Sequence, residues 1–360
     1  MSGWLSRPAA GSAPLAGVRV LDFSELLPGP FMTQSMAELG ADVLKVERPP
    51  HGDPVRRSAP ALYAAVNRDK RSMQADLKDA AQRAAVLALA DEADVLVETY
   101  RPGVMDRLGL GWATLRQRNP RLVYLSLSGY GSDGPWAQRP GHDINYLAAA
   151  GIVSLAATEA APSPCFGVPI ADLTGAIYAL AAVNAALFQR EHSGRGQRLD
   201  VSLAESSLHG MNPRLAMFEQ LRATTLAQQR EIAQRRPAYG AYRCRDGGWI
   251  TIAALEDHFW QALVRALGLQ AFESDAYRSY PQRHEHSERI NAALAQALGR
   301  LDREAALACL VAADVPVAPV CEPAALPMHP QWAARDLFVG TAGGPQVRFP
   351  VRMQGAGPGD

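Results

Sequence analysis

The chain has no cysteine pair at metal-binding spacing. Cys165, Cys244, Cys309 and Cys321 stand far apart, with no CxxC among them. That speaks against a zinc site or a disulfide frame and fits reduced, mostly buried thiols. Net charge is lacking too. Lys+Arg and Asp+Glu each number 36 in 360 residues, so no overall field draws in nucleic acid or an anionic membrane. Any anion site must therefore be a local cluster. The first residues, Met1 to Gly17, hold no apolar core of a signal peptide, and no secretory leader is expected. The most apolar run, Gly175 to Phe188, is Ala-rich, contains Asn184 and is shorter than a bilayer span. Neither a GxGxxG fingerprint nor a Walker loop occurs, so ordinary dinucleotide binding and a P-loop are not indicated. No repeat or low-complexity tract is found. The expected location is cytoplasmic, with no nucleic-acid or membrane partner.

What is present is apolar material. Hydrophobic residues make up 48% of the chain and charged residues 20%, enough for a sizeable core. The length suggests two domains. Val18 to Phe23 reads as a buried strand, and Phe31 to Leu39 as a helix capped by Gly40. Ala41 to Val46 reads as a second strand. Helix (79–92), strand (94–97), short helix (114–118) and strand (121–127) follow, an order that builds a parallel α/β sheet. Tyr146 to Leu155 reads as helix. Asp172 to Arg190 reads as a long one, with Leu173, Ile177, Leu180, Ala181, Asn184 and Leu187 on one face and Gly194 as its stop. Leu199 to Leu203 is a strand. The texture changes near Pro237. Residues 239–254 read as a hairpin turning at Asp246-Gly247-Gly248, and helices follow over 257–267, 284–298 and 302–312. The expected organisation is a large α/β domain over 1–203, completed by 330–360. A helical linker (204–236) leads to a small α+β domain (237–329) with a return linker.

Ligands in such sheets sit beyond the C-terminal strand ends. Arg48, Arg101 and the Ser128–Gly134 loop fall there and are candidate anion binders. Gly141-His142-Asp143-Ile144-Asn145-Tyr146 and Asp172 offer a possible acid/base pair. Bland readings stand beside these. Asp172 suits a helix N-cap. His142 suits a turn, Glu256 suits the dipole at a helix start, and Arg48, Arg101 and Arg107 suit a solvated surface.

Several ordered motifs carry a resemblance. They are Pro14-Leu15-Ala16-Gly17-Val18-Arg19-Val20-Leu21-Asp22, Pro28-Gly29-Pro30, and Leu39-Gly40-Ala41-Asp42-Val43-Leu44-Lys45-Val46-Glu47-Arg48-Pro49. Asn67-Arg68-Asp69-Lys70-Arg71-Ser72, Arg101-Pro102-Gly103-Val104, Arg107-Leu108-Gly109 and Gly194-Arg195-Gly196-Gln197 follow. Together they resemble the family III CoA-transferases of CaiB/BaiF type, a group that includes the α-methylacyl-CoA racemases. The resemblance implies a Rossmann-like large domain, a smaller α+β domain, an acyl-CoA substrate and an interlocked homodimer. It implies no cofactor beyond the coenzyme A moiety, and no metal.

Two chemistries compete within that resemblance. In the racemases His142 and Asp172 would act as paired acid and base at C2 of a 2-methylacyl-CoA, passing through an enolate. Glu256 would orient His142, with Tyr239, Asp143 and Asn145 in support, and the 239–256 segment would come from the partner subunit. In the transferases Asp172 would be a nucleophile, forming acyl-anhydride and aspartyl-CoA thioester intermediates. His142 and Glu256, which acid/base catalysis needs and nucleophilic transfer does not, make racemisation the first expectation and CoA transfer the alternative. Ile170-Ala171-Asp172-Leu173-Thr174-Gly175 reads more like a transferase. In either case Arg48, Lys70, Tyr100, Arg101 and Arg107 would hold the CoA. Backbone N–H groups at the start of the Asp172 helix would receive the oxyanion.

Overall fold

The computed structural model describes Trp4 and residues 13–157, 166–341 and 343–353. The chain divides into two units, 1–213 with 334–360, and 214–333.

The large unit is organised by six parallel strands: β1 (Arg19–Asp22), β2 (Asp42–Glu47), β3 (Arg71–Gln74), β4 (Val95–Glu98), β5 (Val123–Ser128) and β6 (Arg198–Ser202). Their order is β3-β2-β1-β4-β5-β6, every pairing parallel. β4 and the first part of β5 are nearly continuous apolar runs, and β1 and β2 carry the apolar pairs Val20-Leu21 and Val43-Leu44, because helices cover both faces of the sheet. Val20, Val95, Val123 and Leu125 pack on one side with the helices Pro28–Glu38 and Ile170–Ser193. Leu21, Leu96, Leu122 and Tyr124 pack on the other, with the helix Ala80–Glu92. β3 was not foreseen. Arg-Ser-Met-Gln has no apolar alternation, and as an edge strand it is held by its neighbour's backbone.

The stretch 146–155 is two helices, Asp143–Ala149 and Ile152–Ala156, broken where Gly151 takes φ +80°. The Ile170–Ser193 helix departs from expectation in two ways. At 24 residues it is long and apolar enough to cross a bilayer, so it outruns the apolar stretch seen in sequence. Its buried face is also the small one: Ala171, Gly175, Ala176, Ala179, Val183 and Ala186, with Leu187 at its edge. Ile177 of the expected face is exposed instead, at 60%, and Phe188 nearby is exposed at 71%. Close approach is the reason. A Cβ on Gly175 would lie 2.3 Å from Leu203 Cδ2 of the neighbouring Leu203–Gly210 helix. The segment expected as a linker begins with that helix, which belongs to the large unit, whereas Leu226–Gln234 belongs to the second. The chain's last strands, β10 and β11, pair as an antiparallel hairpin, Phe338–Thr341 with Gly344–Val347. Of the cysteines, Cys244 is buried, Cys309 half-buried and Cys321 exposed; Cys165 lies outside the described residues. "Mostly buried" therefore does not hold for those described.

The second unit carries the expected hairpin, β7 (Tyr239–Arg243) against β8 (Trp249–Ala253). β9 (Val317–Pro319) adds antiparallel to β8. Its core gathers Ile250, Ile252, Trp260, Leu263, Leu294 and Leu310 from strands and helices. Arg283, fully buried, straps the turn after the hairpin. It donates to Leu255 O at 2.6 Å, Asp257 Oδ1 at 2.7 Å and Arg278 O at 2.8 Å.

Candidate active site

In the large unit the strand order reverses between β1 and β4, and the loops leaving those strands diverge there. Such a switch point is where doubly wound sheets hold ligands. A crevice of about 700 Å³ opens at that place. Leu26 and Leu27 after β1, Tyr100 and Arg101 after β4, and Ser128 and Gly129 after β5 form its walls, and His142, Asn145, Tyr146 and Asp172 close it.

Asp172 stands in the first turn of the Ile170–Ser193 helix, whose cap position is Pro169, so the N-cap reading of Asp172 is corrected. The capping is done by Asp143. Its Oδ1 accepts the backbone N–H of Ala171 at 2.6 Å and of Asp172 at 3.2 Å. This bears on the oxyanion expectation as well, because both of those N–H groups are already committed. The Asp172 carboxyl is left without a side-chain hydrogen bond among the described residues. Burial, and then the charge of Asp143, push its pKa up from 3.8 to about 7. Asp143 thus caps the helix and raises the basicity of its neighbour.

His142 precedes the Asp143–Ala149 helix, and its backbone N–H donates to Asn145 Oδ1 at 3.0 Å. Asn145 therefore acts locally, holding the turn that presents the imidazole, which is exposed in the crevice. Tyr146 supports the same turn: its hydroxyl donates to Gly141 O at 2.6 Å, and burial pushes its pKa up to about 12. Its ring needs glycine on two sides. A Cβ at Gly129 or Gly141 would come within 2.5 or 2.7 Å of it.

The expected CoA-binding residues separate. Tyr100 and Arg101 line the crevice, Arg101 exposed. Arg48 and Arg107 are exposed but outside its lining; Arg48 is close enough to Glu25 to lower that carboxyl's pKa, which burial raises. Lys70 is corrected. Its ammonium is buried against Asp22 Oδ2 at 3.2 Å and donates to Thr33 Oγ1, Asn67 Oδ1 and Pro30 O at 2.7 to 2.9 Å, so it has no free charge for a phosphate. Although burial alone would raise the Asp22 pKa, Lys70 and Lys45 hold it well below the usual carboxylate range. Lys45 in turn binds Asp53 at 3.1 Å, and Asp53 accepts the N–H of Leu26. Leu26 takes φ +67° in the wall of the crevice, so this buried network holds a strained loop in place. Sequence reasoning missed Glu25 and Arg139, which also line the crevice, Arg139 lying 4.4 Å over the Trp136 ring. Their positions beyond strand ends were the only available signal.

Tyr239 and Glu256 belong to the second unit. β7 begins at Tyr239, paired with Ala253 at the end of β8, so both residues lie at one end of the hairpin. Glu256 occupies the cap position of Asp257–Ala266 without a side-chain cap bond and is exposed, as Tyr239 is at 45%. Among the described residues no group of three metal-ligating side chains gathers.

A doubly wound sheet with a carboxyl of raised pKa in the crevice at its switch point defines an α/β enzyme scaffold. The chain belongs to CoA-transferase family III, whose model matches residues 15–358. An acetyl-CoA:oxalate CoA-transferase of Acetobacter aceti is 33% identical over 97% of this chain and 91% of its own. The human alpha-methylacyl-CoA racemase is 35% identical over 72% of this chain and 66% of its own. A CaiB/BaiF family protein from Brucella suis superposes with a TM-score of 0.81 at 28% identity, over 95% of this chain and 93% of its own.

Proposed function

We propose that the chain transfers CoA between an acyl-CoA and a carboxylic acid, with Asp172 as nucleophile. The observation that carries this is the isolated Asp172 carboxyl. Asp143 has taken over its capping role, and burial with the Asp143 charge makes it more basic, and hence more nucleophilic, than an ordinary carboxylate. Relatives bearing CoA-transferase names over nearly the whole chain support the same reading. The carboxylate attacks the thioester carbonyl, expelling CoA thiolate and leaving an acyl-aspartyl anhydride. The thiolate then attacks the aspartyl carbonyl, giving an aspartyl-CoA thioester and releasing the first acid. The carboxylate of a second acid attacks that thioester. The thiolate expelled again attacks the new acyl carbonyl, and Asp172 is restored. This chemistry needs no metal and no redox group. Tyr100 and Arg101 would hold the CoA, with Arg48 and Arg107 at its outlying phosphates.

Racemisation at C2 of a 2-methylacyl-CoA, the reading that sequence placed first, is the second proposal. It is favoured by His142 lining the same crevice as Asp172. In that case Glu256 and Tyr239 would come from the partner of a homodimer. The exposed Ile177 and Phe188 supply apolar surface that a second copy would cover. One experiment separates the two. The enzyme is incubated in D2O with a 2-methylacyl-CoA, with and without acceptor acid, and then quenched with hydroxylamine. An Asp172 hydroxamate and acid-dependent CoA transfer, without deuterium at C2, support transfer. Deuterium at C2 with no adduct would replace it by racemisation.

A further inference from the structure

Leu26 stands against two ordinary preferences of its residue type. Its φ is +67°, in the left-handed region where a Cβ is crowded and glycine is the usual occupant. It is also exposed, at 42%, so no core packing offsets the strain. The conformation is set from beneath. Both carboxylate oxygens of Asp53 accept the Leu26 N–H, at 3.3 and 3.2 Å, and Oδ1 accepts the Val55 N–H at 3.1 Å. Asp53 is buried and paired with Lys45 at 3.1 Å, and Lys45 donates to Ser24 O at 2.6 Å. On either side, the Glu25 N–H donates to Thr99 Oγ1 at 3.0 Å, and Leu27 O accepts the Phe31 N–H at 2.9 Å. Each residue from Ser24 to Leu27 is thus tied down, and a strained residue held so firmly points to function.

The topology places this loop at the reacting end of the crevice. The helices Pro28–Glu38 and Ile170–Ser193 share one core on one face of the sheet, through Met32, Met36, Ala176 and Ala179. The first leads from the end of β1 to the start of β2, and the second leads to the start of β6. All strands of the sheet are parallel, so both helices begin at its C-terminal edge. Leu26 and Leu27, just before the first helix, therefore stand on the side of the crevice where the second helix presents Asp172. With Leu127 and Leu203 they make that wall apolar. We propose that Leu26 is a specificity-determining residue that grips the acyl group delivered to Asp172, favouring an apolar chain of several carbons over acetyl. The strained backbone keeps the side chain in the crevice, where burial against an acyl chain is favourable. The inference rests on Asp172 as the reacting carboxyl and adds to that reading a class of acyl group.

The test is calorimetric titration of hexanoyl-CoA, acetyl-CoA and free CoA into the full chain carrying Asp172→Asn, so that the complexes do not react. The titrations are repeated with Leu26→Gly or Leu26→Ala added. The parent is expected to bind hexanoyl-CoA more tightly than acetyl-CoA. Both added substitutions should weaken hexanoyl-CoA binding about tenfold, the scale of losing one half-exposed leucine as an apolar contact, and leave acetyl-CoA and CoA unchanged. Leu26→Gly, relieved of the strain, should melt no lower than its parent. Leu26→Ala keeps the strain, so a loss shared by both variants belongs to the side chain. A parent without preference for hexanoyl-CoA overturns the proposal, as does unchanged selectivity in either variant. An equal loss for all three ligands overturns it too, assigning Leu26 to the CoA arm. A lower melting temperature for Leu26→Gly refutes the strain on which the reasoning stands. The hydroxylamine trap at Asp172, run on the wild type, succeeds or fails independently of these ratios and so tests the transfer reading separately.

Discussion

Replacing Asp172 by Asn should stabilise the folded chain at alkaline pH while abolishing turnover. Asp172 has a folded pKa of about 7 against an ordinary value of 3.8, with burial the larger cause and the Asp143 charge the second. The folded state therefore binds this proton more tightly than the unfolded state. The stability linked to it is fully present below about pH 4 and is lost as pH rises to about 7. The difference corresponds to about 4 kcal/mol at most. Asp172 is partly open to the crevice, and solvent screening reduces that to about 2 kcal/mol. Asn keeps the shape and never ionises. At pH 8 Asp172→Asn should thus melt about 4 °C above wild type, at roughly 2 °C per kcal/mol for a domain of this size. At pH 4.5 the two should melt within a degree or so. Scanning fluorimetry across pH 4.5 to 8.5, with urea unfolding as the check, measures the gap. A gap that is absent at pH 8, or that does not grow with pH, would falsify the assignment of Asp172 as a buried carboxyl of raised pKa.

Three further outcomes follow from the geometry. Asp143→Asn keeps an oxygen for the Ala171 and Asp172 N–H groups but removes the neighbouring charge, so the acidic limb of the pH–rate profile should move to lower pH; an unmoved limb contradicts the coupling. Lys70→Met leaves Asp22 buried without its partner and should cost about 3–5 kcal/mol of stability by urea unfolding. If Lys70 bound phosphate instead, the variant would keep its stability and raise only the KM for acyl-CoA. Gly129→Ala places a methyl group against the Tyr146 ring and should destabilise by about 1–3 kcal/mol while lowering kcat, both read on one purified sample; wild-type values for both would show that the ring can move aside.

Much of the fold was legible because parallel strands buried on both faces are continuous apolar runs, and because Gly40 and Gly194 end helices where a left-handed residue is needed. β3 was not legible. A short edge strand with mixed side chains carries no periodic signal, and only pairing with β2 defines it. The core face of the Ile170–Ser193 helix was misjudged for a related reason. Hydrophobicity ranks Ile177 above Ala179 and Gly175, yet a helix pressed closely onto its neighbours buries the residues that fit, not the most apolar ones.

At the site, sequence by itself determined the residue types and their order: an Asp at 172, the 141–146 motif, and arginines after strand ends. Resemblance to a family turned these into expectations about chemistry. Which residue does what was decided only in three dimensions. The carboxylate that caps the helix is Asp143 and not Asp172, because contacts across 28 residues are invisible to local spacing. The lysine that looked free for phosphate is locked to Asp22, because burial and partner are properties of the packed core. A raised carboxyl pKa arises from desolvation and a neighbouring charge, and no linear chain displays either.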